Sequence, residues 1–263
     1  MRIGLYQFAP EFGAARRNLE RIAEALRAEA AELWVLPELA TTGYLFTDRA
    51  ECAALAETIP GPTTEALAAL CRERGTRVVA GLAERSGDRL YNSAAYVAAQ
   101  GVVGVYRKVH LFDRETLCFD PGPEPFRVHP LGDGRLGLMI CFDWLFPEAA
   151  RSLALQGADL IAHPANLVLP YCQEAMVTRA LENGVACATC NRVGSERRAG
   201  EELSFTGRSQ VLDARGRRLG QASAEREETL VVELDLALAR DKRITGRNDR
   251  LGDRRPELYF TGR

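Results

Sequence analysis

Cys141 stands where a thiol could act as a nucleophile. It follows LGLMI (136–140), a run without a polar side chain, as in a strand buried on both faces. Pro147 and Glu148 come soon after, and both suit the first turn of a helix. A cysteine on a sharp strand-to-helix turn is held out at the end of a sheet, and backbone N–H groups in such a turn can cradle an oxyanion. The competing reading is a buried structural cysteine, one of the commonest core residues. Six other cysteines are present, so residue type alone decides nothing.

A thiol nucleophile needs a base to take its proton, and a leaving group needs a proton in return. The chain has three histidines, His110, His129 and His163. His110 and His163 follow strand-like runs, so a Cys–His pair is one arrangement. The local signatures of Cys–His proteases are absent, however, and a satisfied histidine at a strand end is the plainer reading of each. The other candidate base is a carboxylate. Glu38 closes LWVLPE, where a charge is costly unless it is used or paired. Lys108 closes a second apolar run, GVVGVYRK. Either charge alone reads as an ordinary rim residue. A thiol, a carboxylate and an ammonium, each ending a buried strand, make a set with complementary chemistry.

The elements that must position this set follow from periodicity. RIGLYQFA reads as a strand, and NLERIAEALRAEAAE as a helix with Leu19, Ile22, Ala23 and Leu26 on one face. LWVLPE is a buried strand stopped by Pro37. GPTTEALAALCRERG is a helix with a threonine N-cap and a glycine stop. RVVAGLAER, LYNSAAYVAA and VVGVYRKVHLF are three strands separated by SGD and QG turns. The second half alternates again: RLGLMIC strand, PEAARSLALQG helix, ADLIAHPA strand, QEAMVTRALENG helix, VACATCNRVG strand. A hairpin, GRSQVLDARGRRLGQA, and a last strand, EETLVVELDL, precede a polar tail. No Pro/Gly/Ser linker divides the 263 residues, so one α/β domain (residues 1–263), with sheet facing sheet and helices outside, is the economical architecture.

Composition narrows the partners. Thirty-four basic residues nearly balance 36 acidic ones, so no long-range field favours nucleic acid or an anionic membrane. No run approaches the roughly 20 apolar residues of a membrane span, and the apolar core of MRIGLYQFAPEFG is short for a signal peptide. Seven irregularly spaced cysteines suit a reducing compartment better than a disulfide scaffold, and a cytoplasmic location is expected. Cys187 and Cys190, in CATC, lack a second pair and read as core cysteines; no role is assigned to Cys118. No clustered ligand spacing offers a home to a metal.

LPELATTGY, YRKVHLF, CFDWLFPEAAR, HPAN, RALEN, NRVG and DRRPELY, in this order, resemble the nitrilase superfamily of carbon–nitrogen hydrolases. The resemblance implies a four-layer α-β-β-α sandwich and a Glu–Lys–Cys site. In it Glu38 is general base and acid, Lys108 stabilises an oxyanion, and Cys141 is the nucleophile. It also implies a second glutamate before a Pro-Gly, which DRETLCFDPG places at Glu115, where it would orient Lys108 and the substrate. The backbone N–H of Phe142 is expected to join the oxyanion site. Tyr44, Trp144 and Asn166 fall just beyond strand ends and are expected to line the pocket. The implied reaction is hydrolysis of a small linear amide through a cysteine thioester, without cofactor or metal. A nitrile or an N-carbamoyl amine is the alternative substrate. A homodimer or higher oligomer is also implied, with the tail from about 240 to 263 at the subunit interface.

Overall fold

The alternation of apolar residues along the first strands gives one sheet two buried faces. In the computed structural model, which describes residues 1–259, the first half of the chain runs β1 (Arg2–Gln7), α1 (Ala15–Ala28), β2 (Leu33–Val35), α2 (Arg49–Leu55), α3 (Pro62–Arg74), β3 (Arg77–Ser86), β4 (Arg89–Ala98), β5 (Gly101–Arg107) and α4 (Glu115–Cys118). The second half runs β6 (Val128–Leu131), β7 (Gly134–Leu138), α5 (Pro147–Leu155), β8 (Leu160–Pro164), α6 (Cys172–Asn183), β9 (Ala186–Cys190), β10 (Ser195–Arg198), β11 (Glu201–Ser204), β12 (Gln210–Leu212), β13 (Arg218–Gln221) and β14 (Glu228–Glu233).

Two six-stranded sheets result, in the orders β14-β1-β2-β3-β4-β5 and β13-β12-β9-β8-β7-β6. Ile3, Leu5, Leu33, Val35 and Val79 cluster with Leu136, Leu138, Leu160 and Ala186 of the other sheet. Their neighbours Trp34, Leu36, Val78, Ala80 and Leu82 instead pack with Ile22 and Leu26 of α1 and Leu67 and Leu70 of α3. Helices α5 and α6 cover the second sheet, through residues such as Leu153 and Met176. The layers therefore run helix, sheet, sheet, helix, as the resemblance implied.

In each sheet the middle strands are parallel: β1, β2 and β3 in one, β7, β8 and β9 in the other. Their carboxyl ends carry Glu38, Cys141 and Asn166, the place where open α/β sheets leave a crevice. The expected strands and the helices α1, α3, α5 and α6 are present, with local corrections: the strand expected over VVGVYRKVHLF stops at Arg107 and that over VACATCNRVG at Cys190. The cap of α3 is Gly61, not a threonine; Thr64 Oγ1 accepts from the Gly61 N–H at 2.9 Å, while Gly75 ends the helix in the left-handed region as expected. The strand expected to reach Cys141 stops at Leu138, leaving Met139 and Ile140 as a connection.

The tail packs back on the α6–β9 turn, where Lys242 Nζ donates to Gly184 O at 2.6 Å. Of the residues expected at a subunit interface, 260–263 lie outside the described residues. Among the described residues no helix is long and apolar enough to cross a membrane.

Candidate active site

Three segments deliver the charged and nucleophilic groups. Pro37 ends the β2 run, and the chain turns at Leu39, whose φ is +50°. That turn leaves Glu38 fully buried against β3, whose Gly81 has no side chain to oppose it; a Cβ there would lie 2.4 Å from the Glu38 Cα. Lys108 is the first residue past β5 and is likewise fully buried. Cys141 opens a single 3₁₀ turn, Cys141–Leu145, that leads into α5 at Pro147. Its φ of +40° is in the region that side chains avoid. A strained residue between strand and helix is the geometry of a nucleophile elbow.

The elbow is held from both sides. His163 Nε2 lies 2.9 Å from the Cys141 carbonyl oxygen, and its Nδ1 lies 3.1 Å from Thr189 Oγ1. Burial lowers the His163 pKa, so the ring is neutral, donates from Nε2 and accepts at Nδ1. Asp143 is buried and accepts from the Ile140 N–H and the Tyr106 O–H, each at 2.8 Å, and pairs with His110 Nδ1 at 2.7 Å. Tyr106 and His110 flank Lys108, so this carboxylate ties the Lys108 segment to the Cys141 segment. Both histidines that could have formed a Cys–His pair are thus bonded to groups other than the thiol.

Lys108 Nζ donates to Glu38 Oε1 and to Glu115 Oε1, each at 2.7 Å. An ammonium has three N–H donors, so one remains for a further acceptor. Glu38 Oε1 also accepts from Asn92 Nδ2 at 2.7 Å, whereas Glu38 Oε2 is buried without a partner. Glu115 sits in the short helix α4; its Oε1 accepts from the Tyr44 O–H at 2.9 Å and its Oε2 from the Phe112 N–H at 3.2 Å. Asn166 donates to the Glu38 carbonyl oxygen at 2.9 Å, which leaves its own Oδ1 buried and unpartnered.

Two carboxylates around one ammonium in a buried site leave one negative charge uncompensated. Burial, together with the Glu38 charge, raises the Glu115 carboxyl to about 7 against the pull of Lys108. Burial alone would lower the Lys108 pKa, but Glu115 and Glu38 outweigh it and keep the ammonium charged. Burial, then the Glu38 charge, pushes the Cys141 thiol well above its ordinary value; Lys108 and the Asn166 backbone N–H pull the other way. The resting nucleophile is therefore a protonated thiol that needs a base at the moment of attack.

Cys141, Phe142, Trp144 and Asn166 line one small cavity, closed by Phe112, Leu167, Val168 and Leu169. Tyr44 and Glu115 line a second cavity on the other side of Phe112, so Tyr44 flanks the thiol's cavity without lining it. Glu38, Lys108, Glu115 and Cys141 converge on one site. Sequence reasoning missed Asn92, Asp143 and Glu196, the last of which accepts from the Tyr44 and Leu45 N–H groups. The one available signal for Asn92 was a polar residue amid the apolar run of β4. Among the described residues no group of three or more His, Cys, Asp or Glu side chains could hold a metal.

Residues 2–244 match the sequence profile of the Carbon-nitrogen hydrolase family. The chain is 47% identical over 264 residues to a protein named Nitrilase from Pyrococcus abyssi, covering 99% of each. A crystal structure of a carbon-nitrogen hydrolase from Helicobacter pylori G27 superposes with a TM-score of 0.88 at 28% identity, over 98% of this chain and 97% of that one. A mutant of the amidase from Nesterenkonia sp. AN1, described as showing covalent addition of the acetamide moiety of fluoroacetamide at the active site cysteine, superposes with a TM-score of 0.80 at 29% identity, over 98% of this chain and 95% of that one.

Proposed function

The chain belongs to the carbon–nitrogen hydrolase family, and from that premise we propose that it hydrolyses a small linear amide through a thioester on Cys141. The observation that carries this reading is the division of donors and acceptors in the site. Lys108 keeps one N–H free, and Glu38 keeps one buried oxygen free, around a protonated thiol.

Glu38 Oε2 takes the thiol proton as sulfur attacks the amide carbon. The oxyanion that forms is met by the third Lys108 N–H and by the backbone N–H of Phe142. Preorganised donors of this kind are worth ~3–4 kcal/mol each. An amide nitrogen leaves badly as an anion, so protonated Glu38 returns the proton to it and ammonia departs. Glu38 then takes a proton from water as the hydroxyl oxygen attacks the thioester, and returns it to the departing sulfur, releasing the acid and restoring the Cys141 thiol and the Glu38 carboxylate. Glu115 does not touch the reacting atoms on this reading; it holds Lys108 against Glu38.

The unpartnered oxygens Glu38 Oε2 and Asn166 Oδ1 favour an amide. Buried acceptors call for donors, and an amide NH₂ supplies two where a nitrile supplies none. The cavity on the thiol has no charged side chain among its lining residues, which suits an uncharged acyl group. A nitrile is the second reading, favoured by the 47% identical relative named Nitrilase; there attack gives a thioimidate before water enters.

The test is ammonia release from short amides, N-carbamoyl amines and aliphatic nitriles, with Cys141→Ala run alongside. Release from short amides that is lost in the variant is expected. Release from nitriles alone would transfer the assignment to the second reading, and release unchanged by Cys141→Ala would remove the nucleophile.

A further inference from the structure

The segment after β9, NRVGSE (191–196), lies outside the chemistry just described, yet it braces both sides of the site. Asn191 is fully buried; its Oδ1 accepts from the Leu167 N–H at 2.8 Å, and its Nδ2 donates to Gly207 O at 2.8 Å and Thr206 Oγ1 at 3.0 Å. That fixes the wall of the thiol's cavity. Arg192 and Glu196 are both buried and form an ion pair with each other. The Arg192 guanidinium also lies 4.0 Å from the centroid of the Phe205 ring, which meets Tyr44 edge-on at 5.9 Å.

The Glu196 carboxylate spends its remaining acceptor capacity on one short stretch of backbone. It accepts from the Tyr44 N–H at 3.1 Å and from the Leu45 N–H at 2.7 Å. Gly43 makes the approach possible: its φ is +81°, and a Cβ there would sit 2.9 Å from Glu196 Oε1 and 3.0 Å from the Phe12 Cα. Tyr44, so held, reaches Glu115 Oε1 with its hydroxyl at 2.9 Å. The same oxygen accepts from Lys108.

We propose that Glu196 is a positioning residue of this enzyme: paired with Arg192, it sets the Tyr44 backbone so that the phenol hydroxyl holds Glu115 against Lys108. The inference rests on the Glu38–Lys108–Cys141 reading. A buried carboxylate committed to two consecutive backbone N–H groups is a rigid anchor, because bonds to an ionised acceptor are the strong ones. Between Leu39 and Phe46 the loop carrying Tyr44 has no charged side chain of its own, and among the described residues Glu196 is the ionised group to which its backbone bonds. The groups facing Glu115 are Lys108, Glu38, Tyr44, Cys141 and the Phe112 N–H. Of these, only Tyr44 depends on Glu196.

The test is a double-mutant cycle of Glu196→Asp and Tyr44→Phe, with Cys141→Ala as the control and the best amide of the panel as substrate. Aspartate keeps the charge beside Arg192 but withdraws it from the backbone; Glu196→Gln serves as a second variant should the aspartate fail to fold. Each single substitution is expected to lower kcat roughly tenfold or more, the scale of a hydrogen bond to a charged group, with KM nearly unchanged. The double mutant is expected to lose no more than either single. Loss of the Tyr44 hydroxyl bond disfavours ionised Glu115, so the acidic limb of kcat against pH moves to higher pH by the same amount in all three. Losses that multiply in the double mutant, or a limb that stays at the wild-type pH, overturn the proposal. Ammonia release that survives Cys141→Ala identifies the failure as that of the nucleophile assignment instead.

Discussion

Glu115→Gln isolates the electrostatic imbalance of the site. Two buried carboxylates share one ammonium, and burial with the Glu38 charge raises Glu115 from an ordinary 4.5 to about 7. Between those pH values the folded protein holds a proton that the unfolded chain has released. The contribution of Glu115 to stability is thus fully present below pH 4.5 and is lost as pH rises through 7. That span corresponds to roughly 3 kcal/mol, at ~1.4 kcal/mol per tenfold change in proton affinity. A glutamine at 115 cannot ionise and lacks this descent. It keeps one oxygen for Lys108 and Tyr44 but turns an N–H toward the Phe112 N–H, forfeiting a 3.2 Å bond, a cost of about 1 kcal/mol at every pH. The variant is therefore expected to be slightly less stable than wild type near pH 4.5 and more stable by about 2 kcal/mol near pH 8. Urea unfolding of both proteins from pH 4.5 to 8.5 at fixed salt gives the difference, in which groups untouched by the substitution cancel. A difference independent of pH would refute the reasoning. So would wild type gaining on the variant as pH rises, which would mean a Glu115 ionised throughout and stabilised by Lys108 in the ordinary way.

Lys108→Met leaves Glu38 and Glu115 buried without their shared counter-charge. A loss of about 3–5 kcal/mol in unfolding free energy at pH 8 is expected, much of it recovered at pH 5, with hydrolysis falling ~10²-fold or more; equal stability at pH 8 would sink the account. Gly81→Ala puts a Cβ 2.4 Å from the Glu38 Cα and 2.7 Å from the Leu39 nitrogen. Melting should show about 1–3 kcal/mol of destabilisation. The displaced Glu38 segment should lower kcat by more than tenfold, since misplacement of ~1 Å can cost ~10²-fold; normal turnover would show that Glu38 tolerates the shift.

The layers and the reacting groups were legible because each had a strong local signal. Buried strands on both sides of the sandwich are nearly continuous apolar runs, and a charge or thiol immediately after such a run stands out against it. Leu33–Val35 followed by Glu38, and Leu136–Ile140 followed by Cys141, are of this kind. The elements that escaped lack that signal. Strand β6 contains Pro130 and lies at a sheet edge, where proline is tolerated but argues against a strand when read from sequence. The hairpin β10–β11 reads SERR and EELS, with no apolar alternation to mark it as sheet. Helix α2 spans only Arg49–Leu55, too short for a helical period to show.

The same division separates the reacting groups from the residues that hold them. Cys141 and Asp143 are two residues apart, yet Asp143 matters because it reaches Tyr106 on β5 and His110 just beyond that strand. Glu196 lies 152 residues from Tyr44, and in the sequence it is one more acid in a charged stretch. Its meaning appears only where Gly43 removes a side chain and lets carboxylate and backbone meet. A nucleophile or base can be inferred from what precedes it in the chain, because desolvation by a neighbouring strand is a local property. The orientation of that group is set by partners from other strands and loops. At this site those partners are backbone N–H and C=O groups as often as side chains: the Cys141 carbonyl on His163, the Glu38 carbonyl on Asn166, the Tyr44 and Leu45 N–H groups on Glu196. Backbone partners are present at nearly every residue, so residue type carries no trace of them, and only the fold shows which of them the site uses.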